Sequence, residues 1–219
     1  MRVLRCADCR PWGESTFSAR ALNGLVGGGR QPGGLWATMQ PMSSPACDSP
    51  APAATRWQGL APVADARTRA LVLGSFPGLR SLQQQQYYAH PQNQFWPLLQ
   101  ALWPACPQPA RNDYAGRCEW LLSRGLGLWD VYASCEREGS LDSAIRAAEV
   151  NDFAGLRLSC PQLTLALHNG GESYRYAGRT QALGLAAVKL PSTSPANARL
   201  RFEAKVQAWR EALASHQLL

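Results

Sequence analysis

The stretch Leu71-Val-Leu-Gly-Ser-Phe-Pro-Gly78 determines the fold class of this 219-residue chain. Its apolar half predicts a buried strand, and its glycine- and proline-containing half predicts a turn where that strand ends. A second segment, His90-Pro-Gln-Asn-Gln-Phe-Trp96, follows a polar and aromatic stretch and opens a predicted helix. This order is typical of α/β proteins, in which the carboxyl ends of parallel strands form a ligand crevice.

The rest of the chain predicts the architecture around this crevice. From Trp57 onward, short apolar runs alternate with helical patterns, as expected for parallel strands joined by crossover helices. Strands are predicted at about 70–74, 126–131, 163–168 and 186–190. Helices are predicted at about 93–103, 114–124, 140–147, 151–158, 172–182 and 197–216. We therefore predict a three-layer α/β fold, with a central four-stranded, mostly parallel sheet flanked by helices.

Residues 1–55 differ from this pattern, because they are rich in glycine, proline and serine and show no sustained period. We predict a disordered or loosely ordered N-terminal extension there, followed by one α/β domain over 56–219. Cys6-Ala-Asp-Cys9 is half of a zinc-ribbon pattern, but no second Cys-x-x-Cys and no nearby histidine completes it. No metal or other cofactor is therefore expected.

Charge and cysteine content restrict the partners and the location. The net charge of +7 and pI of about 9.3 favour a polyanionic partner such as nucleic acid. Only two of the 22 basic residues are lysines, so a GC-rich genome is an equally good explanation of the arginine content. Seven scattered cysteines indicate a reducing compartment, and no apolar run approaches the length of a membrane span. We expect a cytoplasmic monomer with no membrane partner.

The four predicted strands end in four loops that should meet at one edge of the sheet. These loops are Gly74-Ser-Phe-Pro-Gly78, Trp129-Asp130-Val131, His168-Asn169-Gly170 and Leu190-Pro-Ser-Thr-Ser-Pro-Ala-Asn197. In the first, Gly74 and Gly78 allow close backbone approach, Pro77 sets the turn, and Phe76 offers a stacking plane. Each loop alone predicts an ordinary turn, whereas the four together predict a binding site.

The fourth loop and the last helix carry the candidates for phosphate contact. Ser192, Thr193 and Ser194 place short hydroxyls between two prolines, and Arg199 and Arg201 follow them. The predicted last helix has an apolar stripe and an opposite basic face. The stripe is Phe202, Val206, Trp209 and Leu213, and the basic face is Arg199, Arg201, Lys205 and Arg210. A basic helix face is more often solvated than ligand-binding, so both interpretations stay open.

Together these motifs resemble the uracil-DNA glycosylase superfamily, and among its branches they are most similar to the hypoxanthine-DNA (deoxyinosine) glycosylases. The resemblance covers about 70–210. It is carried by Gly74–Gly78 with Ser81, Tyr87–Trp96, Trp129–Val131, Ser140-Leu-Asp142, Asn169-Gly170 and Leu190–Pro195. It implies a DNA glycosylase of base-excision repair, which hydrolyses the N-glycosidic bond of a flipped, deaminated base.

Two departures from the uracil-specific enzymes redirect the expected chemistry. At the third position of the first motif, where those enzymes carry a water-orienting Asn or Asp, this chain has Phe76. The branch it resembles uses the Asn of its Asn-x-Phe-Trp element, which is Asn93 here. Leu190 occupies the position of the histidine that stabilises the departing base in the uracil enzymes. Asn93 is therefore the expected catalytic residue, although an Asn at this point is equally suited to capping the helix that follows.

The chemistry of a deaminated base, which has a ring N–H beside a carbonyl acceptor, suggests the base-binding residues. Phe76 would stack on the base, Asp130 would accept a hydrogen bond from a ring N–H, and main-chain N–H groups near Ser75 and Phe76 would hold a carbonyl. Asn169 either assists or only forms the turn. Tyr88 and His90 are candidates for contacts that support the site residues. The alternative for His90 is a polar side chain that only satisfies its own hydrogen bonds.

Three alternatives remain. One is a mismatch-type uracil-DNA glycosylase, which Phe76 argues against, and another is a catalytically silent nucleotide- or nucleic-acid-binding α/β module, which Asn93 argues against. The third is a hydrolase using Ser75 or Cys135, for which no His/Asp pair is arranged. Because neither lysine lies in a pocket motif, a Schiff-base lyase is not expected and the enzyme should be monofunctional. The motifs do not decide between hypoxanthine, uracil, xanthine and ethenocytosine, nor between single- and double-stranded substrates.

Overall fold

The computed structural model describes residues 55–219. The N-terminal extension predicted over 1–55 lies, up to residue 54, outside the described residues, as do Cys6 and Cys9. The strands are β1 (Arg56–Gln58), β2 (Ala70–Gly74), β3 (Leu126–Asp130), β4 (Tyr132–Glu136), β5 (Arg146–Val150), β6 (Leu165–Asn169) and β7 (Ala186–Leu190). The helices are α1 (Leu79–Gln84), α2 (Phe95–Leu102), α3 (Tyr114–Leu122), α4 (Phe153–Ser159), α5 (Gly171–Tyr174), α6 (Ala177–Gln181) and α7 (Phe202–Ser215).

The predicted four-stranded parallel sheet is confirmed. Its strand order is β3-β2-β6-β7, and every neighbouring pair is parallel. All residues of β2, β3 and β6 are buried, which explains why these strands appear in the sequence as continuous apolar runs. Although β3 lies at an edge, Val63 covers it by exchanging two backbone hydrogen bonds with Leu128.

The register of this sheet brings the strand ends together. Gly74 pairs with Asp130, and Asn169 pairs with Leu190. Since the strands run in the same direction and end at nearly the same level, their four loops leave from one edge. The four loops therefore converge at one edge of the sheet, as expected.

A second, antiparallel sheet was not predicted, and it corrects one element. Its order is β1-β4-β5, and β5 begins at Arg146, inside the segment 140–147 where a helix was expected. That segment holds only a short 3-10 turn, Asp142–Ala144, before it pairs with β4. The guanidinium of Arg56 ties the three strands by contacting Ser134 Oγ at 2.8 Å and Glu149 Oε1 at 2.7 Å. Strand pairing between distant residues thus overrides the local helical pattern.

Other helix boundaries also differ from the prediction. The segment 172–182 forms two short helices, α5 and α6, and the last helix begins at Phe202 rather than near 197. The short α1 was not predicted. Of the apolar stripe on α7, Trp209 and Leu213 are buried, whereas Phe202 and Val206 are partly buried. Among the helices of the described residues, none has the length and apolarity needed to cross a bilayer.

Lys205 departs from the predicted basic face of α7. Only 1% of this residue is exposed, and its Nζ donates to Gln94 Oε1 and to the Asn197 carbonyl, each at 2.8 Å. Burial lowers the pKa of the ammonium group. The helical spacing could not reveal this, because the two acceptors come from other parts of the chain. Lys205 is an internal anchor, whereas Arg199, Arg201 and Arg210 are exposed as expected.

Candidate active site

A cavity of about 360 Å³ opens at the carboxyl edge of the parallel sheet. All four predicted loops and the segment Tyr87–Asn93 contribute to its lining. Of the predicted site residues, it brings together Gly74, Ser75, Phe76, Pro77, Gly78, Tyr88, His90, Asn93, Asp130, Asn169, Ser192, Thr193 and Ser194. Arg199 and Arg201 are exposed and do not line it. We call this space the base cavity.

Asp130 is the buried acid of the base cavity. It ends β3 with 4% of its surface exposed, and its Oδ2 atom has no hydrogen-bond partner among the described residues. Burial raises its pKa to about 7, with a smaller contribution from the charge of Asp142, while Arg137 opposes the rise. Near neutral pH this carboxyl group can therefore accept a hydrogen bond when ionised or donate one when protonated.

Gly74 is required by the position of that acid. A Cβ atom at Gly74 would collide with Asp130 Oδ1, and the Tyr88 hydroxyl would lie 3.6 Å from it. The Gly74 carbonyl also accepts the Val131 N–H at 2.9 Å, which fixes the backbone directly after Asp130. The absence of a side chain at Gly74 leaves the room that the carboxyl group occupies.

Asn169 lines the base cavity and joins two of its walls. Its Oδ1 accepts the Thr193 N–H at 3.0 Å, and its Nδ2 donates to Thr193 Oγ1 at 2.9 Å and to the Tyr88 hydroxyl at 3.1 Å. Both amide hydrogens are therefore used. These contacts give Asn169 a positioning role, which differs from both roles considered for it in the sequence, assisting at the base or only forming the turn. They also change the expectation for Thr193, which is fully buried and engaged by Asn169, so it is not placed to contact a phosphate.

Tyr88 forms one wall of the base cavity. Its backbone has a φ of +55°, which is uncommon for a residue with a side chain. Its ring stacks on Phe95 with centroids 4.0 Å apart. Burial raises the pKa of its hydroxyl, so this group stays protonated. The strained backbone, the stacked ring and the contact with Asn169 together hold the hydroxyl near Gly74 and Asp130.

Arg137 is a site residue that the sequence analysis missed. It is 5% exposed, its Nη2 donates to the Pro77 carbonyl, and its guanidinium lies 5.0 Å from the centre of the Phe76 ring. Its Nε and Nη1 atoms have no hydrogen-bond partner in the described part of the chain. No local pattern marks this arginine, because it follows β4 of the second sheet and reaches the first loop only through tertiary packing.

Asp142 is the second missed residue, and a signal for it was present in the quoted motif Ser140-Leu-Asp142. Its Oδ1 accepts from Ser75 Oγ at 2.6 Å, and Ser140 Oγ accepts the Leu79 N–H at 3.1 Å. The segment 140–142 therefore closes one side of the base cavity and ties down the first loop. Within residues 55–219, no group of three His, Cys, Asp or Glu side chains is arranged to hold a metal ion.

Asn93 lies in the base cavity and begins the turn into α2. Its Oδ1 accepts the Phe95 N–H at 3.0 Å, and its own N–H donates to the His90 carbonyl at 2.9 Å. Asn93 therefore forms a side-chain turn one residue before the helix N-cap, which is Gln94, rather than serving as the cap itself. An amide oxygen has two lone pairs, so one remains for a water molecule. His90 is exposed, and its Nδ1 accepts the Gln92 N–H at 3.2 Å.

The fourth loop is stiffened by its own side chains. Ser192 Oγ accepts the Ser194 N–H at 3.2 Å, and Ser194 Oγ accepts the Ala196 N–H at 3.3 Å. Asn197 Nδ2 donates to the Ser192 carbonyl at 3.1 Å. These bonds use the hydroxyl oxygens as acceptors, so each hydroxyl hydrogen can turn toward a further acceptor.

Comparison with known proteins agrees with this geometry. Residues 61–213 match the Uracil DNA glycosylase superfamily. A protein of Methanosarcina barkeri named "Hypoxanthine DNA glycosylase" is 39% identical over 155 residues, which are 71% of this chain and 96% of that protein. A protein of Methanosarcina acetivorans with the same name is 38% identical over 143 residues, covering 65% of this chain and 89% of its own length.

The fold agrees as well. A solution NMR structure of a candidate uracil DNA glycosylase from Methanosarcina acetivorans superposes with a TM-score of 0.62 at 35% identity, and the match covers 72% of this chain and 98% of that one. The parallel sheet, the loops at its carboxyl edge and these matches lead to one conclusion. The chain belongs to the uracil DNA glycosylase superfamily.

Proposed function

We propose that this protein is a monofunctional DNA glycosylase that removes hypoxanthine from deoxyinosine in DNA. One observation carries the proposal. Asn93 and the buried Asp130 open on the same cavity, while Phe76 occupies the first-loop position at which the uracil-specific enzymes orient water. The two Methanosarcina proteins named hypoxanthine DNA glycosylase support the choice of base. The protein acts as a cytoplasmic monomer in this proposal.

Base recognition requires the nucleotide to leave the helix stack and enter the base cavity. Ionised Asp130 accepts the N1–H of hypoxanthine, and the main-chain N–H groups near Ser75 and Phe76 hold its carbonyl oxygen. The Phe76 ring packs on the base, with the Arg137 guanidinium on that ring. Adenine has no N1–H, so it cannot give the ionised Asp130 carboxylate this hydrogen bond and is disfavoured when that group is charged.

The bond to the sugar breaks ahead of water attack, through an oxocarbenium-like state. Such a step needs an oriented water more than a strong base, and Asn93 supplies the free lone pair of its Oδ1 for this purpose. Leu190 is buried and cannot donate a proton to the departing base. The charge that develops on the base is therefore held by main-chain N–H groups at the first loop.

The positions of the two lysines support a reaction that leaves the abasic site intact. Lys205 is buried and bonded to Gln94 and Asn197, and exposed Lys189 lies 5.8 Å from the centre of the Tyr174 ring, outside the base cavity. A Schiff-base lyase needs a free amine beside the sugar. Neither lysine meets this condition.

The direct test is a panel of duplex oligonucleotides, each with hypoxanthine, uracil, xanthine or ethenocytosine opposite each normal base. Abasic sites are quantified for the wild type and for Asn93→Ala. We expect hypoxanthine release by the wild type and at least a hundredfold slower release by the variant. Release of uracil alone would identify the mismatch-type uracil enzyme instead, and binding without release of any base would identify a silent nucleic-acid-binding module.

A further inference from the structure

A larger concave surface, which we call the flanking groove, lies directly beside the base cavity. Its volume is about 740 Å³. Tyr87, Tyr88, His90 and Asn93 line both the flanking groove and the base cavity. The segment from Tyr87 to Asn93 is thus the wall between the two spaces.

The flanking groove is positively charged. Arg111 and Arg117 line it, and no aspartate or glutamate of residues 55–219 does so. Asp113 lies between the two arginines in sequence, but its Oδ1 accepts the Gly116 N–H at 2.8 Å and starts α3. The two guanidinium charges therefore face the groove without a carboxylate in its lining, which favours an anionic chain.

The two guanidinium groups are held in place by the protein. Arg111 Nη2 donates to the Ala89 carbonyl at 3.1 Å, and Arg117 Nε donates to the Pro109 carbonyl at 3.1 Å. The Arg117 guanidinium also lies 5.3 Å from the centre of the Trp96 ring. A guanidinium has five N–H donors, so each arginine keeps donors for phosphate oxygens after making these contacts.

The aromatic floor of the groove supports the shared wall. The Tyr114 hydroxyl accepts the Tyr87 N–H at 3.0 Å, and Trp96 Nε1 donates to the Tyr87 carbonyl at 3.3 Å. The shared wall is therefore held in place from the groove side. Tyr87 and Trp96 are buried, whereas Tyr88 and Tyr114 are partly exposed. Arginines combined with partly exposed rings such as these two are typical of surfaces that bind single-stranded nucleic acid.

We propose that the flanking groove binds the lesion-bearing strand itself, as a short unpaired segment next to the flipped nucleotide, with Arg111 and Arg117 on its phosphates. This inference rests on the proposed function, because it takes DNA as the ligand of the base cavity. It adds a strand-binding surface that the four loops do not provide. The complementary strand is not a ligand of this groove in the proposal.

The test uses the full chain with Arg111 and Arg117 both changed to glutamine. The matched control is the double variant Arg69→Gln/Arg157→Gln. These two arginines lie near the amino ends of the strands, where Arg69 bonds to the Gln217 carbonyl and Arg157 bonds to the Cys160 carbonyl. Fluorescence anisotropy measures binding to a single-stranded oligonucleotide with one central deoxyinosine. Two further oligonucleotides end directly 5′ or directly 3′ of the lesion.

We expect the Arg111/Arg117 variant to bind the complete oligonucleotide about tenfold more weakly, with a salt slope reduced by about 1.4 for two lost phosphate contacts on a single strand. The control variant should bind like the wild type. One of the two truncations should remove the difference between variant and wild type, because it removes the segment in the groove. Lysine at both positions should restore the salt slope, and thermal unfolding should show that every variant is folded.

The proposal would be overturned if the Arg111/Arg117 variant lost affinity equally for both truncated oligonucleotides. It would also be overturned if the variant lost no affinity for the complete one. A loss seen only with duplex DNA would also overturn it, because the groove would then hold the complementary strand. Binding is measured without any base release. Failure of the wild type to release hypoxanthine would therefore contradict the proposed function. The binding measurements would still show independently whether the flanking groove binds the strand.

Discussion

The ammonium group of Lys205 donates to Gln94 Oε1 over 2.8 Å, in the interior of the protein. Gln94 is the residue after Asn93, and its N–H donates to the Thr193 carbonyl at 3.0 Å. One buried lysine on α7 thus joins the helix, the fourth loop and the segment that carries the proposed catalytic residue. Lys205 does not line the base cavity, but through Gln94 it helps to position Asn93, which does.

Lys205→Met should therefore reduce the rate of base release with little effect on DNA affinity. The change removes the Lys205 donor from two partly buried acceptors, Gln94 Oε1 and the Asn197 carbonyl, which costs about 1–3 kcal/mol of folding stability in total. Single-turnover kinetics separate the rate from binding, and thermal unfolding measures stability. Lys189→Met removes the exposed lysine and should change neither quantity. A Lys205 variant with the wild-type rate would show that this anchor does not position Asn93.

Asp130→Asn should make the protein less active and, above neutral pH, more stable. The folded-state pKa of about 7 exceeds the ordinary value of 3.8, so the folded protein binds the proton more tightly than the unfolded chain. Stability therefore falls as pH rises between these two values and stays low above 7, by about 1.4 kcal/mol per pKa unit. The neutral amide removes this loss. Unfolding measured at pH 5 and pH 8 should show a stability gain for the variant over the wild type at pH 8. If the stability difference between variant and wild type were the same at both pH values, the raised pKa of Asp130 would be refuted.

Arg137 should set the pH at which the enzyme becomes active. Its charge lowers the pKa of Asp130, so Arg137→Gln should move the rising limb of the pH–rate profile to higher pH. Arg137→Lys retains the charge and should return the midpoint toward the wild-type value. If the two variants lose activity equally with unshifted midpoints, Arg137 acts only by packing on Phe76.

Gly74→Ala should reduce base release strongly, because the new methyl group collides with Asp130 Oδ1 and displaces the carboxyl group. Overpacking of this kind costs about 1–3 kcal/mol of stability. Gly178→Ala is the matched control, since a Cβ there meets nothing within 4 Å and the residue lies in α6. That control should be active and stabilised by about 0.5–1 kcal/mol. Full activity of the Gly74 variant would mean that the carboxyl group can move without consequence.

Arg199→Ala should weaken DNA binding uniformly across sequences and lower the salt slope by about one, as expected for one phosphate contact. Arg199 is exposed next to the fourth loop, and Arg179, which is exposed on α6, provides a control by the same change to alanine. Binding titrations over a range of salt concentrations measure both effects. An unchanged slope would assign Arg199 to the solvated surface.

The amino-acid sequence alone determined the parallel sheet and the loops of the base cavity. The apolar runs of β2, β3 and β6 are local signals, and the carboxyl ends of parallel strands meet at one edge whatever the details of packing. Gly74 and Asp130 were identified for this reason, whereas Asn93 was identified through the motif resemblance.

Tertiary structure alone decided the partners of these residues. The positions of Arg137 and Lys205 depend on contacts between residues far apart in the chain, and the strand β5 depends on pairing with β4. A helical or alternating pattern reports only which face of an element is apolar. It contains no information about which distant carbonyl will satisfy a buried charge, and that choice follows from packing the whole chain.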